Sequence, residues 1–262
     1  MLDFLVSTSE SELLADMLWS LGVVAVEERQ ASGDYLTLRT SMGEEHSVSR
    51  DYITKSFPNV IVSVAHIERS VADTWRAHAA PTWVTDDVVL CPAWVTPPDA
   101  PHVIRIEPAD TFGLGNHTTT VLALRLGLRH CALDSRVFDF GCGSGVLAIA
   151  VAKIQQCESF CFDIAHNAQE VVRANSELND VHTTWQSKSN ELNADIVFAN
   201  ILAPVLIAES ATIKGSVHDS GLIVLSGMRD DQVQQVLQRY CDCLELERES
   251  RDGWTTVILQ KL

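Results

Sequence analysis

The stretch Val137-Phe138-Asp139-Phe140-Gly141-Cys142-Gly143-Ser144-Gly145-Val146-Leu147-Ala148-Ile149-Ala150 decides the fold of this chain. A short apolar strand enters a Gly-x-Gly-x-Gly turn, and an apolar, helix-compatible run follows without a break. That order opens a nucleotide-binding βαβ unit, in which glycines let the backbone turn tightly against a ligand. The dinucleotide fingerprint is Gly-x-Gly-x-x-Gly, and Gly145 comes one place too early for it. An acid, Asp139, also stands inside the strand just before the turn. A glycine-rich turn without a ligand is the plain alternative.

Working outward, the chain alternates as an α/β domain should from about Thr118. The pattern predicts helix 118–130, strand 136–140, helix 145–154, strand 159–163, helix 167–179 and strands 181–185 and 195–199. Helix 204–214, strand 221–226 and a helix at about 230–242 follow. Strands 244–250 and 254–260 close the chain, with Asp252-Gly253 as their hairpin turn. A parallel sheet ending in an antiparallel hairpin is a variant of the doubly wound fold.

Residues 1–68 read as a separate β-α-β-β-α-β unit, a ferredoxin-like α+β domain. Leu2, Phe4 and Val6 alternate as a strand, and Ser9-Glu10-Ser11-Glu12 caps a helix to about Leu21, ended by Gly22. Strands are expected at 23–28 and 35–39 around the Ser32-Gly33-Asp34 turn, a helix at 44–56 ended by Pro58, and a closing strand at 60–67. Residues 69–100 carry Trp75, Trp83, Trp94, Pro81, Pro92, Pro97 and Pro98, too many breakers for one element. They read as a linker and entry to the domain at 101–262, with a helical stretch near 71–79 and strands at 88–91 and 103–106. The tryptophans suit packing between domains or a substrate surface.

Hydrophobic residues make up 46% and charged residues 21% of the 262, a globular balance. No apolar run reaches membrane-spanning length, so neither a membrane span nor a secretory signal is expected. The formal charge of −16 argues against holding a phosphate backbone directly, which needs clustered Lys and Arg. It suits a basic protein or a cationic small molecule, or simple solubility. Seven cysteines without zinc spacing read as reduced thiols of a cytoplasmic protein with no metal. Cys142 is a spacer between glycines or, less simply, a nucleophile.

Open α/β sheets bind ligands beyond the carboxyl ends of their strands. The first such end carries Gly141, Gly143 and Gly145, with Asp139 as a ligand contact or a structural cap. Asp163 lies 22 residues after Gly141, near the spacing at which an acid takes ribose hydroxyls; capping helix 167–179 is its other reading, although His166 or Asn167 can serve there. Asn200 ends the strand Asp195-Ile196-Val197-Phe198-Ala199, where its amide suits a cofactor, an incoming amine or a helix cap. Ser226-Gly227 marks a turn, with a ligand contact as the weaker alternative. Upstream, Asp110-Thr111-Phe112-Gly113-Leu114-Gly115-Asn116-His117 precedes Thr118-Thr119-Thr120, a first helical turn of hydroxyls that can cap the helix and meet a ligand. His117 is a candidate base or a residue that orders the loop.

The glycine spacing and Asp139 resemble the first motif of S-adenosylmethionine-dependent methyltransferases. Phe112-Gly113-Leu114-Gly115-Asn116-His117-Thr118-Thr119-Thr120, Asp139-Phe140-Gly141-Cys142-Gly143-Ser144-Gly145 and Ala199-Asn200-Ile201-Leu202-Ala203 together resemble the ribosomal protein L11 methyltransferase family. The resemblance implies a Rossmann-like class I methyltransferase domain behind a small ferredoxin-like domain that recognises the ribosomal protein. It implies S-adenosylmethionine as cofactor, S-adenosylhomocysteine as product, and contacts at Thr120, Gly141, Asp163 and Asn200. The implied reaction is methylation of lysine side chains and the N-terminal amine of ribosomal protein L11, by a monomer. Leu114, Asn116 and Thr118 depart from the family's usual Gly-Thr-Gly-Thr-His-Pro-Thr-Thr, and Ile164-Ala165-His166 from its Ile-Asp-Pro. Methylation of another protein or a small cationic acceptor, and a binding module without turnover, are the alternatives. An NAD oxidoreductase fits the glycine spacing least.

Overall fold

The structure, a computed structural model, describes all residues except 21, 22, 24, 25, 41–52, 65–75, 77, 78, 109–113, 166 and 187–191. It divides into two compact units, Met1–His78 and Ala79–Leu262.

In the first unit, β1 (Leu2–Ser7) buries Leu2, Phe4 and Val6 on one face, as period-two alternation requires. Helix α1 (Ser11–Ser20) lays Leu14 and Leu18, one turn apart, on that face beside Leu38, Ile53 and Phe57. Strands β2 (Val26–Ser32), β3 (Tyr35–Thr40) and β4 (Ile61–Val64) complete an antiparallel sheet of order β2-β3-β1-β4. This is the strand order of a ferredoxin-like unit. The strand expected at 23–28 instead runs to Ser32, because pairing with β3 continues to Ser32 opposite Tyr35. Residues 53–56 are helical, as expected; 44–52 of that helix, 65–67 of the closing strand and nearly all of 71–79 lie outside the described residues.

The second unit opens with β5 (Thr82–Trp83), β6 (Val88–Pro92) and β7 (His102–Ile106), a small sheet of order β5-β6-β7. Within the stretch 69–100, read from sequence as linker and entry to this domain, β6 matches the strand expected at 88–91, and β5 is an addition. The main sheet contains β8 (Arg136–Phe140), β9 (Glu158–Phe162), β10 (Thr183–Trp185), β11 (Ala194–Asn200), β12 (Val217–Arg229), β13 (Cys243–Arg251) and β14 (Trp254–Lys261). Their order is β10-β9-β8-β11-β12-β14-β13, parallel through β12 and antiparallel at the β14-β13 end. It is a class I, Rossmann-like methyltransferase sheet.

Helices α2 (Thr118–His130) and α3 (Val146–Gln155) pack one face of this sheet together with β6 and β7. Helices α5 (Ala203–Ala208), α6 (Ser210–Ser216) and α7 (Val233–Leu237) cover the other. Between β9 and β10 runs α4 (Ala168–Leu178). The single helix expected at 204–214 is two, broken at Glu209, whose carboxylate accepts from the Thr212 hydroxyl in the first turn of α6. The helix expected at 230–242 is short and ends as a 3-10 turn, Gln238–Tyr240. Strand β12 is longer than expected because both β11 and β14 pair with it. Asp252 and Gly253 both take positive φ, 55° and 77°, the conformation a two-residue hairpin needs. No helix among the described residues is long and apolar enough to cross a membrane.

Candidate functional site

The turn after β8 needs its glycines. Gly141, Gly143 and Gly145 have φ of 77°, 54° and 79°, values that L side chains rarely adopt. A Cβ on Gly141 would also lie 2.4 Å from Ile201 Cγ2, so the turn sits directly against the end of β11. The amides of Gly141 and Cys142 donate to the Phe162 carbonyl, which locks the turn to the end of β9.

Asp163 follows that carbonyl and faces the same turn. Its Oδ2 accepts from the Gly143 amide at 2.8 Å and its Oδ1 from the Ala165 amide at 2.8 Å. Each carboxylate oxygen has two acceptor sites, so capacity for a diol remains. Asp163 is not the cap of α4: Asn167 holds that position without a side-chain bond, and His166 lies outside the described residues.

Asp139 is buried beneath the turn, where Oδ2 accepts from the Ala148 amide of α3 at 3.3 Å. Its Oδ1 has no hydrogen-bond partner among the described residues. Burial pushes the carboxyl up to about 7, partly opposed by the Ala148 amide, with the charge of Asp163 adding to the rise. Because the folded value lies above the ordinary 3.8, the folded state holds this proton more tightly. The resulting stabilisation is complete below the unfolded value and lost as pH rises through about 7. The contribution of Asp139 to the stability of the ligand-free protein should therefore decline from about pH 4 to 7. The replacement Asp139→Asn should flatten that decline in urea titrations. Identical slopes in the two proteins would contradict the assignment.

The end of β11 brings Asn200 to the first turn of α2. Asn200 Nδ2 donates to Thr120 Oγ1 at 3.2 Å, while its buried Oδ1 lacks a partner among the described residues. An unpaired buried acceptor is costly, and native proteins keep few without reason. His117, rather than the threonines, caps α2: its Nδ1 accepts from the Thr119 amide at 3.3 Å and lies 2.8 Å from Thr119 Oγ1. Burial lowers its pKa, which favours the neutral ring, and its Nδ1 is engaged in the cap. Phe112 and Gly113 of the same motif lie outside the described residues. Cys142 is buried and packs with Ala148, Cys161 and Val172; the Cys161 thiol and burial push its own thiol well up, which favours the spacer reading.

Some supports were not evident in the sequence. Ser226 Oγ donates to the Thr119 carbonyl at 3.0 Å and lies 2.7 Å from Thr256 Oγ1. Trp254 meets His117 edge-on at 5.1 Å, with the Arg229 guanidinium 4.9 Å from its centroid. Nothing local in the sequence signals the contacts of Ser226 with Thr119 and of Trp254 with His117, which join residues more than a hundred positions apart. The structure therefore brings Gly141, Gly143, Asp163, Thr120 and Asn200 to one sheet edge, with Asp139 below it.

The site thus combines a carboxylate with spare acceptor capacity, a glycine turn open to close approach and two buried side-chain oxygens, of Asp139 and Asn200, without partners among the described residues. Among the described residues no cluster of three or more His, Cys, Asp or Glu side chains is placed to hold a metal ion.

The family model described as "Ribosomal protein L11 methyltransferase (PrmA)" matches residues 24–262. A ribosomal protein L11 methyltransferase of Clostridium botulinum (strain Eklund 17B / Type B) is 32% identical over 203 residues, 74% of this chain and 65% of that protein. This chain thus spans about two thirds, and slightly less, of that relative's length. The protein of the same name from Ralstonia pickettii is 28% identical over 95% of this chain and 94% of its own. The crystal structure of ribosomal protein L11 methylase from Lactobacillus delbrueckii subsp. bulgaricus shares the fold, with a TM-score of 0.64 and 24% identity, covering 70% of this chain and all of that one.

Proposed function

Because the chain belongs to the ribosomal protein L11 methyltransferase family, we propose that it methylates amines of ribosomal protein L11 with S-adenosylmethionine, leaving S-adenosylhomocysteine. The acceptors are lysine side chains and the N-terminal amine. The observation that carries this reading is Asn200: its Nδ2 is held by Thr120, and its buried Oδ1 needs a donor. An amine or ammonium N–H is such a donor.

The residues fit the cofactor. Asp163 would hold the ribose diol, Gly141, Gly143 and Gly145 admit the ligand to the backbone, and Asp139 and Thr120 complete the polar lining. When bound, S-adenosylmethionine supplies a methyl group already activated by its sulfonium. What remains for the protein is to place the nucleophile. Asn200 would orient the acceptor nitrogen for in-line attack, and desolvation would lower the amine pKa so that a dedicated base is not required. His117 acts here by ordering the first turn of α2, which carries Thr120.

Residues 1–68 would capture the basic ribosomal protein in the cytoplasm, with the protein acting as a monomer. Residues 1–66 hold 10 acids against 4 Lys and Arg, which supports electrostatic capture. Transfer to ribosomal protein L11 at low substrate should fall as salt shortens the screening length from about 10 Å at 0.1 M to about 3 Å at 1 M. A rate that ignores salt would count against this capture mode.

The direct test incubates the protein with labelled S-adenosylmethionine and ribosomal proteins, followed by intact-mass analysis. Addition of methyl groups to ribosomal protein L11 is expected. Methylation of a different acceptor, or cofactor binding without transfer, would replace this reading. In single-turnover measurements at saturating reactants, Asn200→Ala should be slower by roughly tenfold to a hundredfold, because a misplaced amine loses its attack geometry. Near-wild-type turnover would reduce Asn200 to a structural role.

A further inference from the structure

Two asparagines one helical turn apart, Asn175 in α4 and Asn179 at its C-cap, are both buried to 1% exposure. Both reach the backbone of β7 and its continuation. Asn179 Oδ1 accepts from the Arg105 amide at 2.9 Å and its Nδ2 donates to the Arg105 carbonyl at 2.7 Å. Asn175 does the same at Glu107, with Oδ1 to the amide at 2.9 Å and Nδ2 to the carbonyl at 3.0 Å.

The periodicities explain why this works. Four helical residues rise about 6 Å, and two strand residues span about 6.6 Å, so with the helix running against the strand, side-chain amides at i and i+4 meet strand residues at j and j−2. The two side chains stand in for a missing neighbour along the edge of β7, which β6 pairs only on its other side.

The third bond separates the two residues. Asn179 Nδ2 returns to the Asn175 carbonyl of its own helix at 2.8 Å. Asn175 Nδ2 instead donates to the Ser144 carbonyl at 3.0 Å, between Gly143 and Gly145. Asn175 therefore ties the glycine turn to the chain at Glu107, a few residues before the segment that ends in His117 and Thr120.

We propose that Asn175 is a positioning residue for the cofactor, setting the glycine turn against the incoming chain at Glu107, while Asn179 is its purely structural counterpart. This rests on the cofactor reading above. The comparison is built in, since the two side chains share a helix, a burial and a bonding pattern, and differ at Ser144.

Calorimetric titration of S-adenosylmethionine into the full-length wild type, Asn175→Ala and Asn179→Ala, with thermal melts of each, tests it. Both variants should melt earlier. Asn175→Ala should bind roughly threefold to tenfold more weakly, as expected for one lost orienting hydrogen bond, and Asn179→Ala within about twofold of wild type. Equal affinities in the two variants would overturn the proposal. If Asn175→Ala does not fold, Asn175→Asp takes its place, since it keeps the acceptor for the Glu107 amide but cannot offer Ser144 an amide N–H. Hydrogen exchange of the wild type gives an arm free of substitutions: adding the cofactor should slow exchange at Glu107 together with Gly143. Protection at Gly143 alone would also overturn it. A wild type that binds no S-adenosylmethionine would instead defeat the cofactor reading.

Discussion

Replacing Asp163 by Ala should weaken binding of S-adenosylmethionine by roughly tenfold to a hundredfold, the loss expected for charge-assisted bonds worth about 1.5–3 kcal/mol. Two effects act together. The proposed acceptor of the ribose hydroxyls disappears, and the Gly143 and Ala165 amides lose the carboxylate that each reaches at 2.8 Å. Asp163→Asn should help little, because its NH2 must then face one of those two N–H groups. Calorimetry on the folded variant decides the matter. Affinity equal to wild type would sink the assignment of Asp163 as a cofactor residue.

Gly227→Ala should be at least as damaging, by a different route. Gly227 has a φ of +85°, and an added Cβ would meet Ile201 O at 2.4 Å, Ile201 C at 2.8 Å and Ile201 N at 3.0 Å. These are backbone atoms, which cannot rotate aside as a side chain can. Ile201 is also held to the same strand through its amide bond to the Ser226 carbonyl at 3.2 Å. Left-handed strain and overpacking together should cost about 2–5 kcal/mol, or roughly 5–15 °C in melting temperature. Because Ile201 follows Asn200, transfer should fall as well. Gly33 supplies the control: its φ is +64°, but no atom lies within 4 Å of an added Cβ. Gly33→Ala should cost only about 1 kcal/mol and leave S-adenosylmethionine binding unchanged. A Gly227→Ala protein that melts with wild type would show that the strand end yields more easily than its contacts imply.

Both predictions concern residues whose places were differently legible in the sequence. Asp163 follows from spacing after a glycine turn, and the turn is itself a local object: strand, three glycines and helix are contiguous. The same holds for Asp252-Gly253 between two alternating strands, and for Thr118–His130. In each case the deciding physics acts between near neighbours. Positive φ favours a residue without Cβ, and burial on one face writes a period into the chain.

What the sequence determined, then, was the βαβ frame, the small domain ahead of it, and the polar residues at the strand ends. Only the tertiary structure decided what those residues touch. It split the helix expected at 204–214 at Glu209, and it extended β12 to Arg229 by giving it partners on both edges. It made His117 the cap of α2 and set Ser226 under the Thr119 carbonyl. It also turned two asparagines of an ordinary amphipathic helix into the partners of an open strand edge. A buried polar side chain must find its hydrogen-bond partner wherever the fold brings one within about 3 Å. For Asn175 and Glu107 that partner is 68 positions away, and no local pattern in the chain records the meeting.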